Sequence, residues 1–244
     1  MFTDIHTHIL HGIDDGCRNI DESIFLMKQA VENKVENIIL TPHFDCEGLN
    51  LPKKEEILKK IDFLNSKIKE NNINIKIYPG MEVKISPGLP DILKNTGYLL
   101  TLMDKQRYIL IEAPFLKMPP NFEDIVFKIR LLGLTPILAH PERNSEVRDN
   151  LRILGKPKEE GLLIQVNTSS IVDKRSNLSY KTAISMLKMD MVDFIASDCH
   201  YMKGRYSNFL EAYNVLCKVA GRERANKIAL ENPKKILNDE DFGD

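Results

Sequence analysis

Cysteine is scarce: the chain has four in 244 residues, at positions 17, 46, 199 and 217. No two of them stand at the spacing of a disulfide framework or a zinc ribbon, which argues against a stapled secreted scaffold and for a reducing cytoplasm. Charge of one sign is also missing, since 34 basic and 35 acidic residues nearly cancel to a net charge of -1. No overall field would draw such a chain onto nucleic acid or an anionic membrane, and no basic stripe is interleaved with aromatics. Long apolar runs are absent as well. None approaches the roughly 18 residues of a membrane span, and Met1 to His6 lacks a basic stretch followed by an apolar one, so the chain is expected to be neither exported nor inserted in a membrane. No internal repeat, low-complexity tract or Ser/Gly linker divides it, so residues 1–244 are read as a single domain.

Hydrophobic residues make up 43% and charged residues 28%, enough to fill a sizeable core and keep a wet surface. Short apolar or β-branched runs alternate with stretches of helical period along the whole chain, the rhythm of a parallel α/β fold. Seven strands are expected: Phe2 to Ile5, Ile38 to Leu40, Ile75 to Tyr78, Tyr108 to Ile111, Thr135 to Ala139, Leu162 to Val166 and Asp193 to Ala196. Among the helices, Asn19 and Glu22 form a possible capping pair. Ile57, Ile61, Leu64 and Ile68 make one apolar stripe whose other side is wet. The period predicts helix over Phe122 to Leu132, Lys181 to Leu187 and Tyr206 to Val219. The last of these and a tail around Pro233 to Leu237 are expected to close the fold from outside. The length suits one α/β barrel.

The polar residues that follow these strands are His6, His8, His43, Glu82, Glu112, His140, Asn167, Asp198 and His200, and five of the six histidines are among them. In a parallel barrel the C-terminal strand ends converge on one face, so these residues should meet. Imidazoles and carboxylates without neighbouring thiolates suit hard or borderline divalent ions. His6-Thr7-His8 and Asp198-Cys199-His200 each project two such groups to one side of an extended chain. Asp14-Asp15-Gly16 lies in the first loop; Asp15 joins the candidates, although either aspartate could instead form the turn. His11 is read as an ordinary turn residue. The set His6, His8, Asp15, His43, Glu82, Glu112, His140, Asp198 and His200 exceeds what one ion can hold, so a cluster is expected. Four carboxylates around three divalent ions would leave a charge of about plus two, which suits a phosphate dianion. Arg143 and Arg205, each just past a candidate ligand, offer guanidinium forks for phosphate oxygens.

Cys199 to Arg205 also has the Cys-x5-Arg spacing of thiol phosphatases, in which a thiolate attacks phosphorus. That mechanism would leave the histidines and carboxylates unused. With Asp198 and His200 as ligands, Cys199 should turn to the opposite side of the strand.

The chain resembles the polymerase and histidinol phosphatase (PHP) superfamily, and within it the bacterial protein-tyrosine phosphatases of capsule and exopolysaccharide synthesis. The resemblance runs over nearly its whole length. It rests on Asp4-Ile5-His6-Thr7-His8, Asp14-Asp15-Gly16, Thr41-Pro42-His43, Gly80-Met81-Glu82, Leu110-Ile111-Glu112, Ala139-His140-Pro141-Glu142-Arg143, Gln165-Val166-Asn167, Ala196-Ser197-Asp198-Cys199-His200, Gly204-Arg205 and Glu231-Asn232-Pro233. It implies an α/β fold, a distorted, seven-stranded (β/α)7 PHP barrel that is TIM-barrel-like, with three divalent ions, often manganese, with iron, zinc, magnesium and cobalt as alternatives. It implies Glu112 as a bridge and Arg143 and Arg205 as phosphate contacts. The implied chemistry is direct hydrolysis of phosphotyrosine by a metal-bound hydroxide. The implied substrate is the tail of an autophosphorylated cytoplasmic tyrosine kinase, and the oligomeric state stays open. A histidinol-phosphatase-like activity on small molecules and a non-catalytic metal-binding barrel are the competing readings. Asn144 departs from the family pattern, where an aromatic residue is frequent, so contacts to a tyrosine ring should differ here.

Overall fold

The computed structural model describes residues 1–45, 52–94, 101–175, 177–201, 206 and 208–242. In chain order its elements are β1 (Phe2–Thr7), α1 (Ile20–Glu32), β2 (Val35–Leu40), β3 (His43–Phe44), α2 (Lys54–Glu70), β4 (Lys76–Pro79), β5 (Glu82–Lys84), α3 (Leu89–Leu93), β6 (Tyr108–Glu112) and α4 (Phe122–Leu131). There follow β7 (Thr135–Ala139), α5 (Ser145–Asp149), α6 (Gly155–Glu159), β8 (Leu163–Asn167), α7 (Thr168–Val172), α8 (Asn177–Lys188), β9 (Phe194–Ala196), α9 (Phe209–Ala220), α10 (Arg222–Asn226) and α11 (Asn232–Asn238).

Among the described residues every strand pairing is parallel. One sheet has the order β1-β2-β4 and the other β3-β5-β6-β7-β8-β9, and a bridge from Thr7 of β1 to Cys199, three residues past β9, links the two. Strands covered on both faces need apolar residues throughout rather than in alternation, and β7 is buried at every position. Among the described residues nine strand segments stand where seven runs are expected. The two additional ones are short: β3 begins after Thr41-Pro42 and β5 after Gly80-Met81. Proline has no N–H for the ladder, which breaks the pairing after β2. At Gly80 a side chain would meet Ile39 at 2.9 Å and Leu102 at 3.0 Å, so the chain crosses there against packed neighbours.

The helices follow their sequence signals. Asn19 caps α1 by accepting from the Glu22 amide at 3.0 Å, but the Glu22 carboxylate turns to the Arg18 amide and guanidinium and completes no reciprocal box. The stripe Ile57, Ile61, Leu64 and Ile68 is buried along α2. Helix α9 starts three residues later than its period suggests, because Asn208 caps it and Tyr206 is drawn inward to donate its hydroxyl to Asp4.

The core is divided in two. A large cluster lies between strands and helices. A smaller one is made by Ile5, Ile39, Leu102, Tyr108, Leu110, Ile137, Phe194 and their neighbours. Ile236 of α11 is buried in this smaller cluster and Phe242 packs against it, so the tail does not lie on the outside with α9. The Arg107 Nε donates to Asp239 at 2.9 Å and the Tyr108 hydroxyl to the Glu240 carbonyl, which fixes the tail at the start of β6, at the opposite end from Glu112. Helical period shows that one face is covered; it does not show by what. No helix among the described residues is long and apolar enough to cross a membrane.

Candidate metal centre

Register brings the strand ends level. His43 pairs with Glu82, Glu112 with Ala139, Ala139 with Gln165, and Asn167 with Ala196, so the side chains just beyond these positions face one another. His6 and His8 leave β1 on the same side. His140 and Asp198, immediately after β7 and shortly after β9, take left-handed backbone angles with φ of 33° and 50°. Such a conformation is costly for a residue with a Cβ, and it turns the chain sharply while keeping both side chains over the mouth. The first loop is held against β1 by Gly16, where an added Cβ would stand 1.9 Å from the His8 carbonyl.

Four groups of side chains each offer ligand atoms within 4.8 Å of one another: His8, Asp15, His43 and His200; His6, His140 and Asp198; His6, His8 and Glu82; His43, Glu82 and Glu112. Their members are the nine residues singled out in the sequence. Glu82 lies at the centre. Its buried Oε2 has no aligned hydrogen bond, yet the Nε2 atoms of His6 and His8 stand 3.2 Å away and the His43 Nδ1 3.0 Å away. Its Oε1 is 3.0 Å from the His140 Nε2, which is itself 3.7 Å from Glu112. The Asp15 Oδ1 lies 3.4 Å from the His43 Nε2 and 3.3 Å from the His200 Nε2.

Protonation can be followed from the carboxylates inward. Asp198 only accepts, so the Asn167 side-chain amide donates to it at 2.8 Å. The Asn167 oxygen then accepts from the Gln165 Nε2 at 2.9 Å, leaving the Gln165 oxygen to accept from the His6 Nδ1 at 2.9 Å. Asp14 likewise takes the His8 Nδ1–H at 2.7 Å. In their neutral forms both rings therefore present a bare Nε2 lone pair, and the two nitrogens are 3.1 Å apart beside the Glu82 oxygen. Electron pairs facing one another in a dry pocket need a cation between them. Burial opposes a charge on His6, yet Glu82 and Asp198 lift its imidazole to about 9. His8 rises well above its ordinary value against the same burial, through Asp14 and Glu82. Burial also works against ionisation of Glu82, but His6, His140 and His43 hold its carboxyl well below the usual range. Glu112 is pushed up by burial and by the neighbouring Glu82. Imidazoles fixed through Nδ1, carboxylates and no thiolate among them fit divalent ions of hard or borderline character.

The two loop aspartates have separate tasks. Asp14 is largely buried and accepts from the His8 ring and from the amides of Gly16 and His43 at 3.0 Å, whereas Asp15, with a side chain 64% exposed, faces His43 and His200. Asp14 and Gln165, which orient the rings, are not among the sequence candidates. Their signal is weak, because Asp14 reads as a turn former and Gln165 as a strand residue. Asn167, at a strand end, joins the ring-orienting chain. The Arg143 Nη1 donates to Asp198 at 2.9 Å, beside the cluster. Arg205 lies outside the described residues. Asn144 is buried, capping α5 through the Val147 amide and donating to the Pro114 carbonyl. Cys199 is buried in the large apolar cluster. His11 packs on Phe63 away from the centre.

The family described as capsular polysaccharide synthesis, CpsB/CapC, matches residues 2–238. The tyrosine-protein phosphatase YwqE of Bacillus subtilis is 32% identical over 237 residues, spanning 97% of this chain and 92% of its own. The putative tyrosine-protein phosphatase CapC of Staphylococcus aureus is 31% identical, spanning 97% and 91%. A crystal structure from work on YwqE of Bacillus subtilis and CpsB of Streptococcus pneumoniae, described as unique metal-dependent tyrosine phosphatases, superposes with a TM-score of 0.91. It is 31% identical and covers 99% of this chain and 96% of that one.

Proposed function

The chain belongs to the CpsB/CapC family of capsular polysaccharide synthesis, and from that membership we propose that it is a metal-dependent protein-tyrosine phosphatase. The observation that carries this reading is the convergence of nine imidazole and carboxylate side chains, with their bare nitrogens, beside the guanidinium of Arg143.

In this reading residues 1–244 act as one domain, and the nine strand segments form seven staves, with β3 continuing β2 and β5 continuing β4. His6, His8, Asp15, His43, Glu82, Glu112, His140, Asp198 and His200 would hold the three divalent ions, manganese before iron, zinc, magnesium or cobalt. When bound, such ions lower the pKa of water and stabilise negative charge on phosphoryl oxygens. The chain's own part is orientation. Asp14 and Gln165 keep His8 and His6 in the tautomer that offers Nε2, and the chain from Gln165 through Asn167 fixes Asp198. Arg143 commits one N–H to Asp198, and the rest of its fork takes the substrate's phosphoryl oxygens, together with Arg205. Phenolate is a better leaving group than an alkoxide, which suits a phosphotyrosine ester. The substrate is the phosphorylated tail of a cytoplasmic bacterial tyrosine kinase in capsule or exopolysaccharide synthesis.

The test is turnover of a phosphotyrosine peptide against histidinol phosphate, with manganese and with a chelator. Metal-dependent preference for the peptide is expected. Preference for histidinol phosphate, or undiminished turnover after the metal is stripped, would overturn the reading.

A further inference from the structure

We propose that Phe115 is the residue with which this site distinguishes an aryl phosphate from an alkyl phosphate, an inference that rests on the phosphatase reading above. Phe115 follows Glu112 by three positions, in the loop after β6. Its ring lies with its centroid 4.7 Å from the Arg143 guanidinium carbon and 6.2 Å from the centre of the His140 ring. It thus borders both the phosphate-binding fork and the ligand cluster. It is nevertheless 48% exposed, and Leu116 next to it is 73% exposed.

Isolated apolar side chains are common on protein surfaces and need no explanation. This pair differs in standing on a loop whose backbone is tied down. The Asn144 side-chain amide donates to the Pro114 carbonyl at 2.5 Å, the Ser145 amide to the Phe115 carbonyl at 2.8 Å, and the Met118 amide to the Glu146 carboxylate at 2.8 Å. Three bonds to the start of α5 therefore hold the loop to the helix that follows Arg143. The backbone that carries Phe115 is thus set before any ligand arrives, with the ring against the Arg143 guanidinium, so little ordering of the loop is needed on binding.

In an aryl phosphate a single oxygen separates phosphorus from the ring. A phosphoryl group held by Arg143 must bring its ring close to the guanidinium, and among the described residues Phe115 is the aromatic side chain that packs on it. Offset or edge contact between two rings is favourable and covers apolar surface on both. An alkyl phosphate would receive the same hold on phosphorus and leave Phe115 uncovered. The residue touches the substrate's ring and takes no part in proton or phosphoryl transfer. It should therefore govern which ester is accepted and leave the hold on phosphate unchanged.

The experiment is calorimetric titration of the metal-loaded full chain with phenylphosphonate and methylphosphonate, which share the phosphoryl group and cannot be hydrolysed. The wild-type protein should bind the phenyl ligand more tightly. Phe115→Ala should reduce that preference on the order of tenfold, with methylphosphonate binding unchanged. Phe115→Leu should fall between the two. Because the ring is half exposed, circular dichroism should show both variants folded. An unchanged preference in Phe115→Ala would overturn the proposal. So would equal weakening of both ligands, which would make the ring a support for Arg143 alone. Failure of the wild-type protein to hydrolyse a phosphotyrosine peptide would count against the function itself. Hydrolysis by the wild type with a preference that survives Phe115→Ala would defeat this inference only.

Discussion

The two ends of the same strands are chemically opposite. At the start of β6, Tyr108 belongs to an apolar cluster with Ile5, Ile137 and Phe194, closed by Ile236 and Phe242. At its other end Glu112, partly exposed, faces His43 and His140 among ionisable groups whose inner members, His6, His8 and Glu82, are fully buried. Burial stabilises the first end by itself, since removing carbon from water is favourable. At the second end burial is a cost, visible as the opposition of desolvation to charge on His6, His8 and Glu82. The fold therefore carries a stabilising floor beneath a mouth that needs cations, and the two should respond differently to substitution.

The largest effect is expected at the mouth. Glu82→Gln removes the carboxylate approached by four histidines, so activity should fall by several orders of magnitude and bound metal, read by mass spectrometry of the purified protein, should drop with it. A variant with full metal content and full turnover would break the contrast. Arg143→Lys should lower turnover of a phosphotyrosine peptide by about 3 kcal/mol, on the order of a hundredfold, with metal content unchanged, because lysine keeps the charge and loses the planar fork. The reverse pattern belongs to the floor. Ile236→Ala should cost about 2–5 kcal/mol of unfolding free energy in denaturant titration while kcat/KM per folded molecule stays near wild type. Smallest of all should be the effect of Cys199→Ser on turnover, since Cys199 sits in the large apolar cluster and the proposed chemistry needs no thiolate. Loss of activity with metal retained would restore the thiol mechanism.

The parallel α/β rhythm and the chemistry of the mouth are legible in the sequence because parallel strands show as apolar runs and each is followed by a polar residue, ionisable in all but Asn167. His6, His140 and Asp198 are unusual residues in expected places. What stays hidden depends on contacts distant in sequence. Asp14 and Asp15 are chemically identical neighbours, and only the position of the His8 ring separates their tasks. Gln165 carries no charge and looks like any polar strand residue until its amide is seen between His6 and Asn167. The interruptions at Thr41-Pro42 and Gly80-Met81 divide single apolar trends into two pairings. The tail illustrates the same limit, because its period marks a buried face and leaves the partner unnamed.

That tail also sets an order of events during synthesis. All nine candidate ligands, through His200, leave the ribosome well before Ile236 does. A growing chain thus has its charged residues available while Ile5, Leu110 and Phe194 still lack the side chain that seals them. Until that residue emerges the apolar floor is open to chaperones or to other chains. Chains released before Ile236 is made are therefore expected to be degraded or aggregated, even though they carry every residue of the mouth.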